Sequence, residues 1–216
     1  MSDLPDAKDL HASRPDYLDR AIAPYEQDPQ KYSALWRQIE PDKVWAPLFG
    51  LFHKPPCALI DVAAGDGRDA QFFEAQGYSV TAVEPSAALR ECAKKQIGVA
   101  SKICWIDDAF PGLVKVRQTP FKMITVAAGF VHIMPEDQKA SLASLYDIAE
   151  KGGRVAILLR DGKPDPQHLV FTANPDYFSA WAKEFGFTIL RELRKQPDAL
   201  GRKEVLWNYL MLERPN

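Results

Sequence analysis

The sequence predicts an α/β protein built on a doubly wound, mostly parallel sheet of seven strands that closes in a C-terminal antiparallel hairpin. Three observations carry this expectation. From Ala58 onward, short apolar runs alternate with amphipathic helical segments, the pattern of a parallel sheet covered by helices. The first run breaks into a glycine-rich turn, Ala63-Ala64-Gly65-Asp66-Gly67, which re-enters a helix. The last two apolar runs flank a polar segment containing Pro197, Asp198 and Gly201, as two antiparallel strands joined by a long turn would.

The elements follow in order. The first strand is Ala58 to Val62, and the helix after the glycine turn is closed by Gly77, a residue free to adopt the left-handed conformation of a helix end. Ser79 to Val83 is the second strand, and Pro85 and Ser86 open the next helix. Lys102 to Ile106 reads as the third strand, with a helix beginning near Pro111. Lys122 to Ala127, dense in apolar and β-branched residues, reads as a buried fourth strand. A helix from Pro135 to Glu150 stops at Gly152-Gly153 and leads into the fifth strand, Arg154 to Leu159. Asn174 caps a helix from Pro175 to Phe185 that Gly186 ends, and Thr188 to Leu193 with Val205 to Leu212 form the hairpin.

Length and composition bound the rest. At 216 residues, 46% hydrophobic and 26% charged, the chain suits one globular domain with an extension. The division expected is an N-terminal helical extension over residues 1–55 and the main domain over 56–216. The extension shows helical periodicity around Tyr32 to Gln38 and Val44 to Phe52, and is either a loosely ordered arm or a lid over the site. A net charge of −2 provides no broad basic face for a phosphate backbone, so nucleic acid is not an expected partner. Three cysteines, Cys57, Cys92 and Cys104, without a CxxC, disfavour a disulfide framework or a zinc site and suit a reducing cytoplasm. Cys57 reads as a buried strand residue. The acidic start MSDLPDAKDL does not resemble a signal peptide, and no apolar run approaches a membrane span. The four histidines, His11, His53, His132 and His168, are scattered without ligand spacing, so no metal is expected.

Gly65 and Gly67 permit a close backbone approach to a ligand at a helix start. Asp61 ends the first strand and Glu84 the second, where a carboxylate accepts hydrogen bonds from ribose hydroxyls in nucleoside-binding doubly wound folds. These features alone do not separate a dinucleotide from a sulfonium nucleoside. An NAD-dependent oxidoreductase is the competing reading, although the turn lacks GxGxxG and carries Ala70 at its last position.

The chain resembles the class I S-adenosylmethionine-dependent methyltransferases over about residues 56–213. Asp61-Val62-Ala63-Ala64-Gly65-Asp66-Gly67 is similar to their first motif, with Ala63 where many members carry glycine. Val83-Glu84-Pro85-Ser86 resembles their ribose-binding strand end, and Trp105-Ile106-Asp107-Asp108-Ala109 the segment that meets adenine. Phe121 to Ile124, His132 to Asp137 and Glu150 to Arg154 resemble the later motifs. A narrower likeness, to small bacterial methyltransferases acting on small molecules, lies in Leu159-Arg160-Asp161-Gly162 and in Leu200-Gly201-Arg202 with Trp207.

The resemblance implies a Rossmann-like fold, S-adenosyl-L-methionine as methyl donor, and transfer to a small-molecule O, N or S atom by in-line displacement. It places the methionine ammonium at carbonyls near Ala63 and Gly65, within a motif that includes Asp61 and Asp66, and the carboxylate at backbone N–H groups or Arg68, which is otherwise a solvated residue. It sets Glu84 at the ribose, Pro85 on the adenine ring, and Asp108 with the Ala109 N–H at the adenine edge. Asp107 rivals Asp108, one of the two capping the helix near Pro111, and Ala128 joins the cofactor contacts from the end of the fourth strand. His132 is the candidate base, since its ordinary pKa suits proton transfer near neutral pH and it follows a strand on the ligand-binding edge. Arg160 could clamp a carboxylate or phosphate, or pair with Asp161 instead. Arg202 and Trp207 are candidate pocket walls, and Tyr32, with Tyr17 and Tyr25, closes the lid or packs within it. A binding protein that keeps the cofactor pocket without transfer chemistry is the other alternative. Ala127-Ala128-Gly129-Phe130 carries neither the Asn/Asp-Pro-Pro-aromatic element of planar-amine methylation nor an acid suited to a catechol-type magnesium site.

Overall fold

The computed structural model describes residues 15–165 and 169–216, and of Pro15 only the backbone; His11 and His168 lie outside the described residues. Seven strands form one sheet in the order β3-β2-β1-β4-β5-β7-β6. They are β1 (Ala58–Val62), β2 (Ser79–Val83), β3 (Cys104–Ile106), β4 (Phe121–Ala127), β5 (Ala149–Asp161), β6 (Thr188–Pro197) and β7 (Leu206–Glu213). Parallel pairing joins β3 through β5, whereas β7 runs antiparallel between β5 and β6. The expected hairpin is present. Its second strand enters the sheet between β5 and β6 rather than adding to the edge.

The helices are α1 (Pro15–Gln27), α2 (Pro29–Trp36), α3 (Pro41–Phe49), α4 (Arg68–Ala75), α5 (Ala87–Ile97), α6 (Pro135–Ile148) and α7 (Pro175–Phe185). Local chemistry sets several ends. Ser86 accepts the Leu89 N–H at the start of α5, and Asn174 accepts the Asp176 N–H ahead of Pro175 in α7. Gly186, in the left-handed region, ends α7.

Alternating side chains divide the core between the two faces of the sheet. Ile60, Val62, Ile124, Val126, Val155 and Ile157 pack with Leu142 and Leu145 of α6 and Phe178 of α7. Leu59, Val80, Met123, Ala156, Leu158 and Met211 pack with Val44, Trp45 and Leu48 of α3 and Phe73 of α4. The N-terminal helix α3 therefore belongs to the core. Trp45 and Leu48 are fully buried, which at roughly 25 cal/mol per Å² of apolar surface makes α3 part of what stabilises the domain.

Four local expectations are corrected. No helix begins near Pro111; residues there form turns, because the Asp108 carboxylate gathers the N–H groups of Ala109, Val114 and Lys115. Helix α6 ends at Ile148, short of Glu150, and β5 starts at Ala149. Gly152, with φ +66°, lies where the β4–β5 register shifts, and residues 152 and 153 bond to Arg214 as part of the sheet rather than as a helix stop. Cys57 is half-buried and precedes β1. No helix among the described residues is long and apolar enough to cross a membrane.

Candidate active site

A cavity of about 480 Å³ opens at the carboxyl ends of β1, β2, β4 and β5, under helices α1 and α2. This is where ligands bind in doubly wound sheets, at the reversal of strand order. The turn after β1 forms its floor. Ala63, Gly65 and Gly67 all have positive φ, at 60°, 58° and 73°, so the peptide planes between them turn alternately. A Cβ on Gly67 would come within 2.8 Å of Trp105, and one on Gly65 within 3.0 Å of Trp36. Ala63 holds the left-handed conformation despite its methyl group, which explains why glycine suits this position.

Glu84 is 5% exposed and faces the cavity. Its two oxygens accept the Gly65 N–H and the Ser86 N–H, both at 2.9 Å, so the carboxylate also fastens the turn. Burial pushes it up to about 7, against these two hydrogen bonds. Asp61 accepts from the Thr125 hydroxyl at 2.9 Å and is raised well above the ordinary carboxylate range by burial and by the charge of Asp69.

The N-terminal helices tie this floor to the roof. Asp66, nearly inaccessible, accepts Ser33 Oγ at 2.7 Å and Arg37 Nε at 2.6 Å, and its carbonyl accepts Arg37 Nη2 at 3.0 Å. Arg68 is not a solvated residue. Nε and Nη2 donate to the two oxygens of Asp69, each at 2.8 Å, and Nη1 donates to the Trp36 carbonyl. Most of its donors are engaged within the protein, which leaves the backbone N–H groups of the turn as the better partners for a ligand carboxylate.

His132 ends a 3-10 turn, Gly129–His132, after β4. Nδ1 lies 2.9 Å from the Leu169 carbonyl and can only donate there, so Nε2 carries the lone pair and accepts from the Tyr25 hydroxyl at 2.6 Å. The Tyr17 hydroxyl donates to the His132 carbonyl at 2.5 Å. Burial lowers the His132 pKa and raises that of Tyr25, which favours a neutral imidazole facing a neutral phenol. Of the three N-terminal tyrosines singled out in the sequence, Tyr17 and Tyr25 line the cavity, whereas Tyr32 packs behind Tyr25 and Trp36, with ring centroids 4.7 and 5.8 Å away.

The remaining candidates divide the same way. Ala63, Gly65, Asp66, Arg68, Glu84, Pro85, Asp108, Ala109, Ala128, Arg160, Arg202 and Trp207 all reach the cavity. Gly67 is turned toward Trp105, and Asp107 is exposed, within 3.3 Å of Arg90 and 3.6 Å of Lys115. Ser33, Trp36, Arg37 and Asp69 carry no motif and were not legible as site residues. Among the described residues no group of three or more His, Cys, Asp or Glu is placed to hold a metal ion.

These residues fit an adenosyl group with an amino-acid tail. Glu84 is a buried carboxylate facing the cavity, short of the donors that would stabilise its ionised form, and two ribose hydroxyls would supply them. Positive φ at residues 63 and 65 opens the turn beside it.

Comparison with known proteins agrees. Residues 59–153 match the family described as a methyltransferase domain. No curated protein matches the sequence. Among solved structures, the chain is similar to magnesium protoporphyrin IX methyltransferase from Synechocystis with bound S-adenosylmethionine, at 14% identity and a TM-score of 0.64 over 99% of this chain and 100% of that one. It is similar also to 1,6-didemethyltoxoflavin-N1-methyltransferase from Burkholderia thailandensis, at 15% identity and a TM-score of 0.65 over 100% and 93%. The fold is that of the class I methyltransferases. Residues 59–153 thus carry a methyltransferase domain, and the two solved structures that share the fold hold S-adenosylmethionine and S-adenosylhomocysteine.

Proposed function

We propose that this chain is an S-adenosylmethionine-dependent methyltransferase, that it acts on a small molecule held between the glycine turn and His132, and that His132 accepts the proton released by the acceptor. The observation that carries this reading is that the Glu84 carboxylate and the His132 ring line one cavity beneath α1 and α2. A cavity of this size suits a small ligand, and the chain's net charge of −2 offers little to a nucleic acid. The free Cys57, Cys92 and Cys104 fit a reducing, cytoplasmic location.

When bound, S-adenosylmethionine supplies an electrophilic methyl group on a sulfonium. The protein's part is mainly positional. Glu84 holds the ribose, Pro85 and the Ala109 N–H bound the adenine, and carbonyls at the glycine turn meet the ammonium. Asp61, which lines the cavity and accepts from Thr125 of β4, fixes the end of β1 from which the turn departs. Nε2 of His132 presents a lone pair to the cavity once the Tyr25 hydroxyl yields its place to the acceptor. Nε2 would take up the acceptor's proton, and the Leu169 carbonyl, accepting from Nδ1–H, holds the ring in the tautomer this requires.

Calorimetry with S-adenosylhomocysteine tests the cofactor site, and transfer of labelled methyl to a panel of small acids, phenols, amines and thiols tests the reaction. His132→Gln is expected to lower kcat by roughly 10²- to 10⁴-fold with S-adenosylhomocysteine affinity unchanged. Full turnover in that variant would remove His132 from the chemistry.

A further inference from the structure

The cavity has a second polar end, away from Glu84, where the ends of β5 and β7 meet the segment between β6 and β7. Asp198, Arg202 and Trp207 satisfy one another there. Asp198 accepts Arg202 Nε at 2.9 Å, Arg202 Nη2 at 2.8 Å, Trp207 Nε1 at 2.8 Å and the Leu200 N–H at 3.0 Å. Although burial opposes ionisation, these hydrogen bonds hold Asp198 at about 2. The Arg202 charge is therefore neutralised and the indole donor is engaged, so this trio is a wall and not a recognition group.

Arg160 differs. It stands opposite Trp207 in the β5–β7 register, is half-buried and lines the cavity. Its hydrogen bond runs from Nη1 to the Lys163 carbonyl at 3.1 Å, and no carboxylate among the described residues lies within ion-pairing distance. Asp198, Glu204 and Asp161 act on it only through their fields, which Arg202 opposes. The expected alternative, a pair with Asp161, is not formed. Gly162 makes room for the guanidinium: a Cβ there would come within 3.1 Å of Nη2. A half-buried cation without a counter-ion is costly, and a ligand anion lowers that cost. The walls beside it, Val44, Leu158 and Tyr209, are apolar or aromatic.

We infer that Arg160 anchors an anionic group of the methyl acceptor, which is a small organic acid with an apolar body, its carboxylate or phosphate gripped by the guanidinium. The inference rests on the small-molecule reading above and names its substrate class. A planar fork of donors matches both anions, and lysine does not reproduce it.

The test uses the full chain saturated with S-adenosylhomocysteine and three probes: benzoate, phenyl phosphate and the neutral benzamide. Calorimetry is expected to show uptake of benzoate or phenyl phosphate, but not of benzamide, by the wild type. Arg160→Met should weaken that uptake about tenfold or more, the usual worth of a charge-assisted hydrogen bond, with Arg160→Lys intermediate and S-adenosylhomocysteine affinity unchanged in both. The preferred anion identifies the headgroup. Equal binding of benzoate and benzamide, equal binding by wild type and Arg160→Met, or no binding of either anion would overturn the inference while leaving the cofactor site standing. Failure of the wild type to bind S-adenosylhomocysteine would instead strike the underlying function.

Discussion

Glu84 performs two tasks with one carboxylate, fastening the Gly65 turn and facing the cavity, and its protonation links them. Burial raises it from an ordinary 4.5 to about 7, so around pH 6 the folded protein holds a proton that the unfolded chain has released. Its stabilising contribution is complete below its unfolded value and is lost as pH rises through about 7. His132 has the opposite sign. Its pKa is lowered by burial, so the neutral ring's contribution is present above its ordinary 6.5 and declines as pH falls below that value. Two ribose hydroxyls donate far better to an ionised Glu84 than to the protonated carboxyl, so cofactor binding below about pH 7 is expected to release a proton. S-adenosylhomocysteine affinity is expected to rise with pH and level off above about 8, with proton release visible as a buffer-dependent heat. Glu84→Gln should abolish the pH dependence and weaken binding by roughly tenfold or more. A flat pH profile in the wild type would contradict this linkage.

At the scale of elements, α2 is the bridge between roof and floor. Ser33 and Arg37 reach Asp66, and the Trp36 ring covers Gly65 while its carbonyl accepts Arg68. Helix α1 adds the Tyr17 and Tyr25 contacts to His132. We propose that α1 and α2 act as a lid whose closure is registered by the glycine turn. Arg37→Met removes a charge-assisted bond and leaves the buried Asp66 with the Ser33 hydroxyl and a long bond from the Arg68 N–H, so a loss of about 1.5–3 kcal/mol is expected in urea unfolding. The same variant should raise amide exchange in residues 63–68 of the ligand-free protein, an effect that a purely peripheral salt bridge would not produce.

For the whole molecule, the N-terminal helices and the sheet share a core, since Trp45 and Leu48 pack with Phe73 and Met211. Residues 15–55 are expected to unfold together with the rest, and ligand binding should therefore stabilise the chain as one unit. At one hundred times its dissociation constant, S-adenosylhomocysteine is expected to add about 2.7 kcal/mol to the unfolding free energy. Coincident circular dichroism and tryptophan transitions, shifting together on addition of ligand, would confirm that unity. A separate early transition of the N-terminal helices would refute it.

Much of this was legible in the sequence. The period of the strands, the caps at Ser86 and Asn174, and the turn at Gly65 and Gly67 depend on residues close together in the chain, and local sterics and hydrogen bonding specify them. So does the placement of Glu84, which follows from the end of β2. Only the tertiary structure decided the pairing of long side chains. Arg68 meets Asp69 and the Trp36 carbonyl, Asp66 meets Arg37, Tyr25 rather than Tyr32 reaches His132, and Arg160 finds no carboxylate among the described residues. A flexible charged or phenolic side chain takes whichever partner folding brings within reach, and that partner often comes from a distant part of the chain. The sequence by itself determined the class of chemistry and the floor on which the cofactor rests; three-dimensional packing decided which charges remain for the substrate.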